Sequence, residues 1–228
     1  SVKNDAGKTI YDTVSFFGRE FHNTEFYAYV ICLSYIIVAL MSPLLSGIAD
    51  AGGKRKLFMQ FFCYLGALSC ISLYWFNPAQ LEIGMISIFL ASIGFWNSLV
   101  FYNAYLPEIA EPKDHDRISA RGFSMGYFGS MILLVICLSM IMFIDKSYTS
   151  LSFILVGVWW IGFSQITYRV LPNNVYKRKK ESGVIWKGFK ELKIVGNEIK
   201  NYPTLKRFLY AFFSLSVGVQ TIILLATI

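Results

Sequence analysis

Asp114, His115 and Asp116 stand in a row, two carboxylates flanking an imidazole, which are the residue types of a metal or acid–base site. Adjacent residues on one loop do not converge on one point, and the other histidine, His22, lies far away in the chain. A metal site is therefore not expected. Asp50-Ala51-Gly52-Gly53 has a faint likeness to the headgroup motif of membrane phosphotransferases. That chemistry holds its metal ions with several acids on neighbouring helices, and Asp50 has no acid partners at helical spacing. Cys32, Cys63, Cys70 and Cys137 all fall inside apolar blocks and form no C-x-x-C pair, so they read as buried inert thiols. No Ser/His/Asp set, phosphate loop or nucleotide fingerprint occurs. The chain is not expected to be an enzyme, and it implies no cofactor. The charges that remain of interest are Asp50, Lys54 and Arg55 in one short junction, with Glu108 and Arg121 bounding another.

Those charges need elements to hold them, and the elements are apolar. Of 228 residues, 55% are hydrophobic and 15% charged, against about 25% charged in a soluble domain. Mean hydropathy is +0.51. Hydrophobic blocks at 26–48, 57–76, 83–106, 122–144, 150–168 and 208–228 contain no Asp, Glu, Lys, Arg or His. Each is near the ~20 residues that cross the bilayer core. The runs are continuous, not alternating, which predicts helices rather than a barrel. The expected fold is an all-α, polytopic membrane bundle of about six spans.

Lysine and arginine set the orientation. Seventeen of the 21 fall in residues 49–56, 107–121 and 169–207, and four in 1–25, 77–82 and 145–149. The first set is predicted to be cytoplasmic and residues 1–25 to form an external loop. One helix is then expected before Ser1, and the last block reads as cut short.

Residues 177–180 read KRKK. After them, Ile185, Phe189, Leu192, Val195 and Ile199 recur at helical spacing, flanked by Lys187, Lys190, Lys193 and Lys200. This pattern predicts an amphipathic helix on an anionic leaflet. The same charges serve topology, so nucleic acid is not an expected partner.

The junction LSGIADAGGKRK (45–56) resembles the loop signature between the second and third helices of the major facilitator superfamily. Asp50, Gly53, Lys54 and Arg55 match that pattern, while Ser46, Ile48 and Ala51 depart from it. Together with GFWNSLVFYNAYLPEIA (94–110) and SARGFSMGYFGS (119–130), it is similar to the vacuole-effluxer-like branch. That branch includes autophagy-linked vacuolar amino-acid effluxers and bacterial relatives. The resemblance implies residues 26–171 as family helices two to six of an N-terminal bundle, 172–206 as the cytoplasmic central loop, and 207–228 as the start of a truncated seventh helix. The first helix and the C-terminal half would be missing. It also implies that Ser46, Asp50, Gly53, Lys54 and Arg55 form a latch between the two halves. On the residues alone, a plain topogenic turn serves as well.

Gly122, Gly126 and Gly129 begin one span with small-residue spacing that lets helices pack closely. The resemblance would set them at the interface between halves. Asn97, Asn103, Gln165 and Gln220 are polar residues inside apolar blocks and should face a helix or a cavity. Asn97 and Gln220 are cavity candidates through the resemblance; Asn103 points about 120° from Asn97, so one of the two asparagines is expected to face the cavity. Interhelical hydrogen bonding is the other role open to each. Glu108 and Arg121 could pair with each other or with Asp50, Lys54 and Arg55 in an inner charge network.

The reading implied is a secondary transporter in a bacterial inner membrane, moving a small polar solute, amino acids first, by alternating access. The rival is a non-transporting helical scaffold. A transporter should have a polar cavity beside Asn97, and a scaffold should be packed solid there.

Overall fold

The computed structural model describes residues 2–3, 9–10, 13–16, 19–52, 54–77, 81–173, 193–194 and 196–226. Two small antiparallel ladders come first. β1 (Val2–Lys3) pairs with β2 (Thr9–Ile10), and β3 (Thr13–Phe16) with β4 (Arg19–His22), Thr13 opposite His22 and Phe16 opposite Arg19. The segment expected as a loop thus carries short strands, where Thr, Val and Phe favour extended backbone.

The remaining elements are helices: α1 (Asn23–Gly52), α2 (Arg55–Ser72), α3 (Leu81–Asn103), α4 (Leu106–Ile109), α5 (His115–Phe143), α6 (Thr149–Val170) and α7 (Pro203–Ala226). Among the described residues, five stretches are long and apolar enough to cross a membrane: Glu25–Gly47, Arg55–Trp75, Leu81–Ile109, Pro112–Phe143 and Thr149–Val170. The chain is a multi-pass, all-α membrane bundle. The sixth expected span falls within α7, whose last side chains lie outside the described residues. Of the expected amphipathic stretch, 193–194 and 196–200 are described and helical; the remainder, KRKK included, lies outside.

The helices overrun the apolar blocks. α1 continues through Asp50 to Gly52, and α5 starts at His115 instead of 122. Hydropathy marks the part of a helix that lipid covers, while backbone bonding continues into water. Conversely, the block 83–106 does not continue as one helix to Glu108. The chain turns at Ala104 and Tyr105 before α4. Pro107 has no N–H to donate to the carbonyl four residues back, so Asn97 and Glu108 do not share a helical face.

α2 is the central helix, flanked by α3 and α6, with α1 on the other side of α3. Close approach depends on glycine. A Cβ on Gly94 would lie 2.5 Å from Gly66 Cα and 2.7 Å from Phe62 O. One on Gly157 would lie 2.8 Å from Ala67 O. Backbones at that separation allow no side chain between them. Phe58 and Phe62 pack on Phe101, with centroids 5.7 and 6.1 Å apart. Phe62 and Phe101, with Ala49, Met59, Cys63, Ile93, Tyr105, Tyr168 and Leu171, form the buried core, and Phe58 packs against it partly buried. α5 buries little besides Cys137. The α5–α6 connection is pinned where Asp145 Oδ1 accepts the Ser147 N–H at 2.6 Å, a bond that holds the Asp145 carboxyl below its ordinary range.

Candidate functional site

The junction after α1 and the end of α3 meet at one end of the bundle. Arg55, the first residue of α2, forms an ion pair with Glu108 on α4. Their side chains are 15% and 5% exposed, so the pair is largely removed from water. Arg55 Nη1 also donates to Ala104 O at 2.9 Å, and its guanidinium sits 5.7 Å from the centre of the Tyr105 ring, within cation–π range. The turn at Ala104–Tyr105 makes this geometry by presenting a carbonyl, a ring and a carboxylate to one guanidinium. A fork of fixed donors suits that task better than an ammonium.

The same cluster holds the end of α6. Tyr105 Oη donates to Pro172 O at 3.3 Å, and Lys56 Nζ donates to Leu171 O at 2.9 Å. The three links therefore converge: the start of α2, the end of α3 with α4, and the exit of α6. Lys54 is exposed, with its backbone N–H on Ala49 O at 3.0 Å. Ser46 is half-buried in α1. Asp50 is helical, but its side chain, like Gly53, lies outside the described residues. Arg121 is exposed and pairs with no described residue, so of the two loop charges it is Glu108 that meets the junction.

The sequence of the chain matches the family described as "Vacuole effluxer Atg22 like" over residues 5–228. The chain belongs to that family. Among curated proteins it is 32% identical to "Uncharacterized MFS-type transporter YxiO" of Bacillus subtilis, over 90% of this chain and 50% of the relative. It is 22% identical to "Autophagy-related protein 22-1" of Penicillium rubens, over 96% of this chain and 49% of the relative. The chain thus spans about half the length of these relatives. No solved structure matches it.

In this Atg22-like chain the intramembrane polar residues tie helices together. Asn97 is 0% exposed. Its Nδ2 donates to Ile93 O at 3.0 Å, and its Oδ1 lies 3.2 Å from Ser42 Oγ on α1. Ser42 Oγ is also 2.7 Å from Val38 O, so its single proton is shared between two acceptors. Gln165 Nε2 lies 3.0 Å from Tyr64 Oη, linking α6 to α2. Ser72 Oγ lies 2.8 Å from Ser87 Oγ, linking α2 to α3 at the opposite end. Asn103 is exposed at the end of α3. The Gln220 side chain lies outside the described residues. Asp114 pairs with Arg117 at 3.0 Å, and His115 Nε2 lies 3.1 Å from Ala110 O, local bonds at the start of α5.

Because Asn97 is enclosed, Asn97→Leu is expected to cost only about 0.6 kcal/mol, the mean for an interhelical hydrogen bond in a membrane. Thermal unfolding in detergent measures this. A loss above about 2 kcal/mol would show that the amide does more than tie α3 to α1.

Within the described bundle Gly126 and Gly129 are open. A Cβ on Gly126 or Gly129 meets no described atom within 4 Å, and one on Gly122 meets only Tyr102 Oη at 3.1 Å. The close helix–helix contacts belong to Gly66, Gly94 and Gly157, which the sequence reading missed. A signal existed in α3: Gly84, Ser87, Ala91 and Gly94 form a small-residue stripe at spacings of three, four and three.

Proposed function

We propose that this chain forms part of a secondary transporter that moves a small polar solute, amino acids first, by alternating access. The observation that carries the reading is membership of the vacuole-effluxer-like family by a bundle whose charged junction is tied across three helices. In this reading 49–56, 107–121 and 169–207 face the cytoplasm, by their lysine and arginine excess, and the relatedness to a Bacillus protein favours a bacterial plasma membrane.

Ser46, Asp50, Gly53, Lys54 and Arg55 act as the latch, which opens and closes as one bundle rocks against the other. Gly126 and Gly129, open in this bundle, suit the facing bundle's approach. A solute site between two bundles is lined by side chains that one bundle leaves uncovered. Asn97 is covered, so we assign it to the interior and keep Asn103 and Gln220 as the candidates. The packed surroundings of Asn97 are what the scaffold reading expects, and that rival stands on this observation.

Proteoliposomes carrying the protein, tested with an amino-acid panel under proton and sodium gradients, separate the two. Movement of a solute supports transport; none under any gradient removes it. Asp50→Ala should slow turnover at least tenfold while leaving membrane insertion intact. Normal turnover in that variant would leave the junction a plain turn.

A further inference from the structure

A second feature of the charged end is an open cavity of about 350 Å³ between the start of α2 and the end of α6, lined by Lys54, Lys56, Leu57, Gln60, Tyr168 and Asn173. We propose that this cavity is a binding site for the phosphate headgroup of an anionic phospholipid. Among the described residues, two cations line it. Lys54 Nζ makes no bond to a described residue, and Lys56 Nζ uses one of its three N–H groups on Leu171 O, which fixes the ammonium in place and leaves two donors. The Gln60 carboxamide likewise has no bond to a described residue and adds a neutral donor. Among the described residues no carboxylate lines the cavity.

The apolar wall distinguishes a lipid from a free anion. Leu57 lines the cavity, and Phe61 follows it one turn along α2; they are 59% and 57% exposed. Lys54, Leu57 and Phe61 stand on one side of the helix, with charge at the membrane edge and apolar surface running inward from it. A phosphate esterified to glycerol and acyl chains fits both parts. Inorganic phosphate gains nothing from Leu57 or Phe61. The proposal needs the chain to span a membrane but does not depend on transport.

The test is native mass spectrometry of the purified protein released from nanodiscs of mixed phosphatidylglycerol and phosphatidylcholine. One phosphatidylglycerol should be retained in preference to phosphatidylcholine. Lys54→Gln with Lys56→Gln should weaken retention about fivefold per lysine, while Lys54→Arg, which keeps the charge, should retain the lipid. Lys113→Gln, at an exposed lysine paired with Glu111, should leave retention unchanged. Gln60→Leu, which alters no charge, should weaken retention by a smaller factor and guards against a misfolded double variant. Equal retention of the two lipids, undiminished retention in both the double variant and Gln60→Leu, or an equal loss in Lys113→Gln would each overturn the site. Displacement of the lipid by millimolar inorganic phosphate would overturn its assignment to lipid.

Discussion

Arg55→Ala is expected to destabilise the purified protein by about 3–5 kcal/mol, because it leaves the Glu108 carboxylate buried without its guanidinium, and Glu108→Ala should cost less, since Arg55 keeps the Ala104 carbonyl and the Tyr105 ring. The side chains are 15% and 5% exposed, so water cannot compensate for the loss. Arg55→Leu combined with Glu108→Leu should behave differently. Replacing both charges with apolar groups removes the desolvation cost along with the attraction, and stability should return to within about 1–2 kcal/mol of the parent. Melting curves in detergent for the two single variants and the double variant make the comparison. If the single variants melt like the parent, the pair is solvated and holds nothing. The cycle also separates stability from function. If the junction is the latch proposed above, it needs its charges to open and close, and the double leucine variant should regain stability without regaining turnover.

Gly94→Val should be the most disruptive substitution inside the bundle. Its Cβ alone would lie 2.5 Å from Gly66 Cα and 2.7 Å from Phe62 O, and both are backbone atoms that no rotamer change can move aside. α2 and α3 would have to separate, loosening the Phe58, Phe62 and Phe101 cluster between them. Overpacking of this kind costs about 1–3 kcal/mol when side chains can give way, so at least the upper end is expected here. Gly126→Ala is the control, with no described atom within 4 Å of the added carbon. It should change stability by less than about 1 kcal/mol, the scale of the glycine–alanine helix difference. Fluorescence-detected size exclusion after a temperature ramp would rank the variants. Equal behaviour of the two would contradict the close approach of α2 to α3.

The sequence located the membrane bundle, because lipid imposes long apolar runs that composition and hydropathy read directly. Among the described residues, five of the six apolar blocks correspond to stretches able to cross a membrane. It also pointed to the junction at Arg55 and to Glu108, since charges at the ends of apolar helices have few places to go. It could not say which charge met which. Arg121 was as plausible a partner for Glu108 as Arg55 was. The turn at Ala104–Tyr105 decided the matter by bringing Glu108 and Ala104 O to the same guanidinium. Asn97 shows the same limit. An amide in an apolar run must find a partner or a cavity, but only the packing of α1 on α3 supplied Ser42.

The glycines mark the boundary most clearly. Gly122, Gly126 and Gly129 have the spacing of a packing motif, yet α5 sits at the margin of the described bundle with little against it. Gly66, Gly94 and Gly157 carry the close contacts because their helices are the ones that meet. What this sequence determined alone was which stretches are apolar enough to lie in lipid and where the charges between them fall, since both follow from how individual residues partition between lipid and water. Which faces those helices turn to one another was left to the tertiary structure, because helix pairing in lipid depends on backbone fit between segments far apart in the chain.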